Sequence, residues 1–236
     1  HKPDRRQRQM CIRDRNNHDY MLFFTEKGRC FWLRVFEIPE GAKATKGRAI
    51  QNMINIPSDD KVMAFINTKD LKDDDYVNTH YVVMCTKKGV VKKTSLESYS
   101  RPRQNGINAI TIREEDQLLE AKLTTGNSQI MLAVRSGKAI RFEEEKVRPM
   151  GRTASGVRGV TLANDNDEVV GMICVNDFES DVLVVSENGY GKRSNIEDYR
   201  ITNRGGKGVK TINVTDKTGN LLSLIHISEP TRPLSI

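Results

Sequence analysis

Residues 129–144 read QIMLAVRSGKAIRFEE. Two short runs of good strand formers flank RSG, and a tight hairpin turn needs a residue with positive φ. Only glycine reaches that conformation without a steric cost, so Gly137 marks the turn. The same statement is made at three other places: YMLFFTEKGRCFWLRV (20–35), YVVMCTKKGVVKKTSL (81–96) and DVLVVSENGYGKRSNI (181–196). The turn glycines are Gly28, Gly89, Gly137 and Gly189, at intervals of 61, 48 and 52 residues. A second glycine follows in each copy, Gly47, Gly106, Gly156 and Gly208, at offsets of 19, 17, 19 and 19. Such near-constant spacing identifies a repeat.

Each copy continues with a polar, basic loop and a third strand after the second glycine. Between copies lie KVMAFINT, QLLEAKLT and EVVGMICV, each preceded by acids, which read as a further strand. Four strands in about 50 residues make a propeller-like blade, which cannot bury its apolar face without a neighbour. The expected fold is all-β: a β-pinwheel or propeller-like array of four-stranded blades. The repeats run roughly over 18–75, 76–125, 126–176 and 177–221. The polar stretches NTKDLKDDDYVNTH and CVNDFESD read as outer loops, and the acids as solvated turn residues.

The two ends read differently. RRQRQMCIRDR (5–15) and LSLIHISEPTR (222–232) match translations of the two arms of a transposon-based sequencing adapter. Residues 1–15 and 222–236 are therefore expected to be foreign, with the original frame cut at both sides. The chain of 236 residues carries a net charge of +7. Residues 1–15 hold six cations against two acids and residues 222–236 one of each, leaving +3 for 16–221. Bulk charge then says little, and the placement of charge says more.

The basic loops recur at one phase: EGAKATKGRAI, SRPRQNGINAI, RPMGRTASGVRGV and ITNRGGKGVKTI. They offer Lys43, Lys46 and Arg48; Arg101 and Arg103; Arg148, Arg152 and Arg158; Arg200, Arg204, Lys207 and Lys210. The returning hairpin strands add Arg34, Lys92, Lys93, Lys138, Arg141, Lys192 and Arg193. Glycine beside cations lets backbone N–H groups approach phosphate oxygens, which positions a duplex without reading its bases. Gly205 to Gly208 lack the Walker spacing and a following helical pattern, so a nucleotide cradle is not expected. Tyr99, Tyr190 and Tyr199 lie near the loops and read as packing residues. A protein-binding propeller would expose a face rich in aromatics, and these are only 6% of the chain.

Catalytic and metal chemistry find little support. His18 and His80 have no Cys, Asp or Glu in ligand or triad spacing. Cys11, Cys30, Cys85 and Cys174 form no CxxC pair and read as reduced thiols. No window has the apolar length of a transmembrane helix.

The motifs NGYGKR (188–193), VRPMGRTASGVRGV (147–160), GVVKKT (89–94) and KGRAI (46–50) closely resemble the C-terminal DNA-wrapping domain of the bacterial DNA gyrase A subunit. The resemblance covers about residues 18–221 and implies a six-bladed β-pinwheel whose blades exchange strands with their neighbours. By motif order the chain looks like four of the six blades, the second to the fifth. It implies sequence-independent binding and wrapping of duplex DNA around a basic perimeter, which gives the whole enzyme its negative-supercoiling direction. It further implies a bacterial, cytoplasmic, nucleoid-associated protein. The partners would be the remainder of the gyrase A protein and the gyrase B protein in an A2B2 enzyme, with no membrane. The catalytic tyrosine, ATP and magnesium belong to parts outside this chain, so no enzyme activity and no cofactor are expected of it alone. The related C-terminal domain of the topoisomerase IV A subunit is the alternative. The family's heptapeptide Q-R-R-G-G-K-G normally lies in the first blade. TNRGGKG (202–208) matches five of its seven positions, but in the last repeat here.

Overall fold

The computed structural model describes residues 19–39, 49–69, 71–176 and 180–227. The foreign-looking segment 1–15, together with Lys43, Lys46, Gly47 and Arg48, lies outside these described residues.

Four antiparallel hairpins form where the repeats place them. They are β1 (Tyr20–Thr25) with β2 (Arg29–Arg34), β4 (Tyr81–Thr86) with β5 (Val90–Ser95), β8 (Gln129–Val134) with β9 (Lys138–Glu143), and β12 (Asp181–Ser186) with β13 (Gly191–Asn195). The registers coincide: Tyr20 faces Arg34, Tyr81 faces Ser95, Gln129 faces Glu143 and Asp181 faces Asn195. The segments between copies form β3 (Val62–Thr68), β7 (Leu118–Thr124) and β11 (Val169–Val175), and the segment after the last copy forms β15 (Leu221–Ile227), each pairing with the first strand of its own hairpin.

The strands after the second glycine are β6 (Ile107–Asn108), β10 (Val157–Arg158) and β14 (Val209–Lys210). Each crosses to the preceding blade. The sheets are β3-β1-β2-β6, β10-β5-β4-β7, β11-β8-β9-β14 and β13-β12-β15. The first three blades thus take their fourth strand from the next repeat, and the last has three strands among the described residues.

The turn glycine seats the crossing strand. Gly28 has φ +79°, and its carbonyl accepts the N–H groups of Ala109 and Ile110. Gly89 receives Gly159 and Val160 in the same way, and Gly137 receives Thr211 and Ile212. A Cβ on Gly28 would lie 2.5 Å from the Ile110 carbonyl oxygen, whereas one on Gly189 meets nothing within 4 Å. Both residues hold the same left-handed backbone, at φ +79° and +80°. Gly189→Ala is therefore expected to cost only the conformational penalty, about 1 kcal/mol. Gly28→Ala should cost roughly 3 kcal/mol or more, because the crossing strand must also move. Urea unfolding of the two variants checks the difference.

Alternation along the hairpins builds the cores between blades. Leu22, Phe24 and Trp32 meet Val82, Met84 and Ile110 of the next repeat. Val83 and Val91 meet Ile130, Leu132 and Val160, and Met131 and Ala133 meet Val182 and Val184. In the two middle blades β4 and β8 give one face to the blade before and one to the blade after.

One segment differs from the sequence expectation, and part of another, expected to be foreign, takes a place in the last sheet. The stretch read as an outer loop holds a short helix, α1 (Asp74–Thr79), capped by the Asp73 carboxylate accepting from Tyr76 N. Leu71 and Val77 anchor it in the core between the first two blades. The segment LLSLIHI, most of which reads as foreign at the nucleotide level, forms β15 and buries Leu221 and Leu224 on either side of a register shift.

Candidate nucleic-acid interface

The basic loops precede the crossing strands, so strand exchange sets them side by side. Residues 100–106, 148–156 and 200–208 contain seven cations and no carboxylate. They are linked to one another. Thr111, just after the second repeat's crossing strand, donates from Oγ1 to Thr153 O at 2.7 Å and from N to Ala154 O at 3.3 Å. The equivalent Thr161 donates from Oγ1 to Gly205 O at 2.6 Å and from N to Gly206 O at 2.9 Å. Gly205 N donates back to Gly159 O at 2.6 Å.

Cations from different repeats meet along this seam. Arg101, Arg103 and Arg152 line one hollow. Arg204 donates from Nε to Lys146 O and from NH1 to Arg158 O, at 2.9 and 3.1 Å. Lys210 pairs in register with Lys138, and Lys138 and Lys207 line a second hollow. Arg101, Arg103, Arg148, Arg158, Arg200, Arg204, Lys207 and Lys210 are exposed, and Lys138 and Arg152 half-buried.

Three named cations do not belong to this surface. Lys92 is fully buried, and its Nζ donates to Ala109 O and Arg152 O at 2.6 Å each. Burial, reinforced by the nearby Arg152 charge, pushes its pKa down to about 8. Lys93 pairs with buried Glu144 at 2.9 Å. Arg141 donates from Nε to Gln129 Oε1 at 2.6 Å and from NH1 to Ile196 O and Tyr199 O at 2.7 and 3.1 Å. Desolvation holds the pKa of Arg141 below the usual guanidinium range. In these positions their charges bind neighbouring protein groups, so they are withdrawn from the phosphate-facing set.

Their register explains the arrangement. Trp32, Lys93, Arg141 and Arg193 occupy one position of the hairpin. Trp32 Nε1 donates to Tyr99 O at 3.0 Å, Lys93 reaches Glu144, and Arg141 reaches Ile196 and Tyr199. Each acceptor lies in or beside the short 3-10 turn that follows the next repeat's hairpin. The position is a polar tie between blades. In the last repeat Arg193 instead pairs with Asp181 of its own hairpin. Lys192 is exposed on β13, and Arg34 is exposed on the first blade, with Tyr20 and Phe36 rings beside it.

Tyr99 and Tyr199 are packing residues, 0% and 4% exposed, while Tyr190 is exposed with Lys217 over its ring. Three acids expected to be merely solvated are structural. Asp60, Asp116 and Asp167 are buried, and each accepts from a hairpin-turn N–H, that of Lys27, Lys88 or Ser136. Their sequence signal is an Asp two residues before β3, β7 and β11. Among the described residues, no helix is long and apolar enough to cross a membrane.

The family described as DNA gyrase C-terminal domain, beta-propeller, matches residues 19–69, 80–125, 129–176 and 180–228. The DNA gyrase A subunit of Staphylococcus epidermidis is 42% identical over 214 residues, 90% of this chain and 23% of that protein. The Staphylococcus aureus counterpart is likewise 42% identical, with 24% of its length covered. The chain therefore spans about a quarter of these relatives. Two solved structures share the fold at 25% identity, each covering 91% of the chain. One is the C-terminal domain of DNA topoisomerase IV, at TM-score 0.80 with 65% of that chain covered. The other is the DNA gyrase A C-terminal domain, at TM-score 0.73 with 68% covered.

Proposed function

The chain belongs to the DNA gyrase C-terminal domain, beta-propeller family, and we propose that it binds duplex DNA without sequence preference and bends it along the seam of basic loops. One observation carries this reading: three acid-free loops, bearing seven cations, are joined by hydrogen bonds into one seam. Duplex DNA is a continuous polyanion, and such a surface releases its counterions without consulting its bases. The cations proposed to meet phosphate are Arg101, Arg103, Arg148, Arg152, Arg158, Arg200, Arg204, Lys207 and Lys210, with Lys138 beside them.

Within a complete enzyme the bend would present a crossed DNA segment to the strand-passage machinery and so set the direction of supercoiling. That role rests on family membership. In that role the chain would act beside the remainder of the gyrase A protein and the gyrase B protein in an A2B2 assembly, in the bacterial cytoplasm. The catalytic tyrosine, ATP and magnesium would act elsewhere in that assembly. The topoisomerase IV domain scores higher in fold likeness, but 42% identity to the gyrase A protein favours the gyrase reading.

Bending a site of 20–30 bp by 40–90° costs on the order of 1–6 kcal/mol, which added phosphate contacts must offset. Only a duplex long enough to follow the seam can make those contacts. Affinity for a duplex of about 150 bp should therefore exceed that for one of about 15 bp by ten-fold or more, after correction for the number of sites. Equal corrected affinities in a gel-shift titration would contradict bending.

A further inference from the structure

Given a seam that binds DNA, the reading on which this inference rests, we propose that Lys92 is a positioning residue for that binding. It faces no phosphate itself. Its ammonium clamps the backbone of Arg152 and so sets that guanidinium beside Arg101 and Arg103. Packing does not call for a charge at this place. The same register position holds Phe31 in the first hairpin and Ile140 in the third, each 1% exposed. An ammonium there gives up its hydration, which is tolerated only where fixed partners replace the water. No carboxylate pairs with Lys92 among the described residues. Its Nζ is held by two backbone oxygens alone, those of Ala109 and Arg152.

These two oxygens come from the two repeats whose cations meet. Ala109 follows the crossing strand that continues the 100–106 loop, and Arg152 stands in the 148–156 loop. The latter loop is pinned on β5 at both ends. Met150 N donates to Lys93 O at 2.8 Å, and a Cβ on Gly156 would stand 2.7 Å from Val91 O. Lys92 holds its middle. In the other two loops Gly106 and Gly206 rest on Phe31 and Ile140, which offer no such bond. The clamped Arg152 lines one hollow with Arg101, Arg103 and Glu97. Guanidiniums brought together repel one another, and fixing the backbone of one opposes that repulsion.

Protonation governs the clamp. Arg152 is the charged group that bears on Lys92. Cys30 of β2 and Tyr99 of the 3-10 turn lie in the same cluster, and burial raises both pKa values, so neither is charged where Lys92 titrates. The Asp74 and Asp75 carboxylates of α1, which packs on β5, are exposed. With its pKa at about 8, Lys92 is largely charged at pH 7 and largely neutral at pH 9. A phosphate on Arg152 offsets the repulsion between the two cations and so favours the charged form of Lys92. By reciprocity the charged form favours the phosphate, and DNA affinity should fall as pH rises through 8.

The experiment measures affinity for a long duplex at fixed salt, at pH 7 and pH 9. The proteins are the intact chain, Lys92→Ile, Arg152→Gln and the double variant. Lys92→Ile places on the second hairpin the residue that the third already carries, and one cooperative urea transition at each pH verifies its fold. The parent should bind about five-fold more weakly at pH 9 than at pH 7. Each single variant should bind about five-fold more weakly than the parent at pH 7 and show little further loss at pH 9. The double variant should match the single variants, because Lys92 acts through Arg152. A parent affinity unchanged by pH, or losses that multiply in the double variant, would overturn the proposal while leaving DNA binding by the seam intact. No binding by the parent would remove both together. Should Lys92→Ile fail to fold, the parent and Arg152→Gln still decide the matter, since an equal pH dependence in the two would overturn the proposal.

Discussion

Lys93→Met should lower unfolding free energy by about 3–5 kcal/mol, the cost of leaving a buried charge without its partner. The Lys93 side chain is 6% exposed and that of Glu144 is 0% exposed, with 2.9 Å between them. Glu144 accepts further bonds from Thr124 Oγ1 at 2.8 Å and Ser128 N at 3.1 Å, and the ammonium lies 4.3 Å from the centre of the Tyr81 ring. The pair joins the second and third blades. The other interfaces place Leu96 and Ile196 at the position of Glu144, both fully buried. Lys93→Met with Glu144→Leu should therefore regain most of the loss, since a packed apolar pair often equals or exceeds a buried ion pair. Urea unfolding of the two single variants and the double variant gives the coupling directly. Additive losses would show that the two groups act independently.

Alkaline pH should destabilise the protein steeply. Burial raises the thiol pKa values of Cys30, Cys85 and Cys174, well above the usual range in the first two. In the unfolded chain these thiols ionise near pH 8.5, so above that the unfolded state has lost protons the native state keeps. Stability contributed below pH 8.5 is then lost as pH rises, by about 4 kcal/mol per pH unit once all three unfolded thiols are ionised. Lys92 acts in the opposite sense. Its pKa is depressed to about 8 from 10.5, so between those values the native state holds fewer protons and gains stability as pH rises. One lysine opposes three thiols, and the Tyr99 and Tyr76 hydroxyls, whose pKa values burial also raises, act with the thiols, so the net loss near pH 10 is at least roughly 3 kcal/mol per unit. Denaturation curves at pH 8, 9 and 10 should show a flat stretch followed by a fall. Replacing the three cysteines with alanine should remove most of that fall. An unchanged fall would place its cause elsewhere.

Much of the blade is legible in the sequence because glycine leaves no choice. Four hairpins with glycine at φ near +80° follow from turn chemistry alone. The destination of the third strand is not legible from composition or periodicity. GVRGV reads as a strand after a turn, but nothing local distinguishes its own sheet from the preceding one. The deciding contact is the Gly89 carbonyl, about 70 residues away in sequence. The resemblance to a strand-exchanging family supplied that step.

The basic surface was partly legible. Loop cations lie where an acid-free, glycine-rich segment puts them. Cations on the returning strands do not, because a strand buried on both faces shows no alternation to separate inward from outward residues. Stacking the hairpins in register does reveal it: Phe31 aligns with Lys92, and Trp32 with Lys93 and Arg141. Two aromatics in the first repeat mark positions that are interior in the others. The same comparison of columns exposes the recurring aspartates at 60, 116 and 167 as hydrogen-bonding groups.

The central claim is that the joined loops hold DNA by its phosphates. It is tested most directly by measuring the affinity of the intact chain for a long duplex over a range of salt concentrations. With about eight cations on phosphates, the plot of log K against log salt should be linear with a slope of about −7. Replacing Arg158, Arg204, Lys207 and Lys210 with glutamine should bring it to about −4. A slope near zero, or one unmoved by the four replacements, would contradict the account.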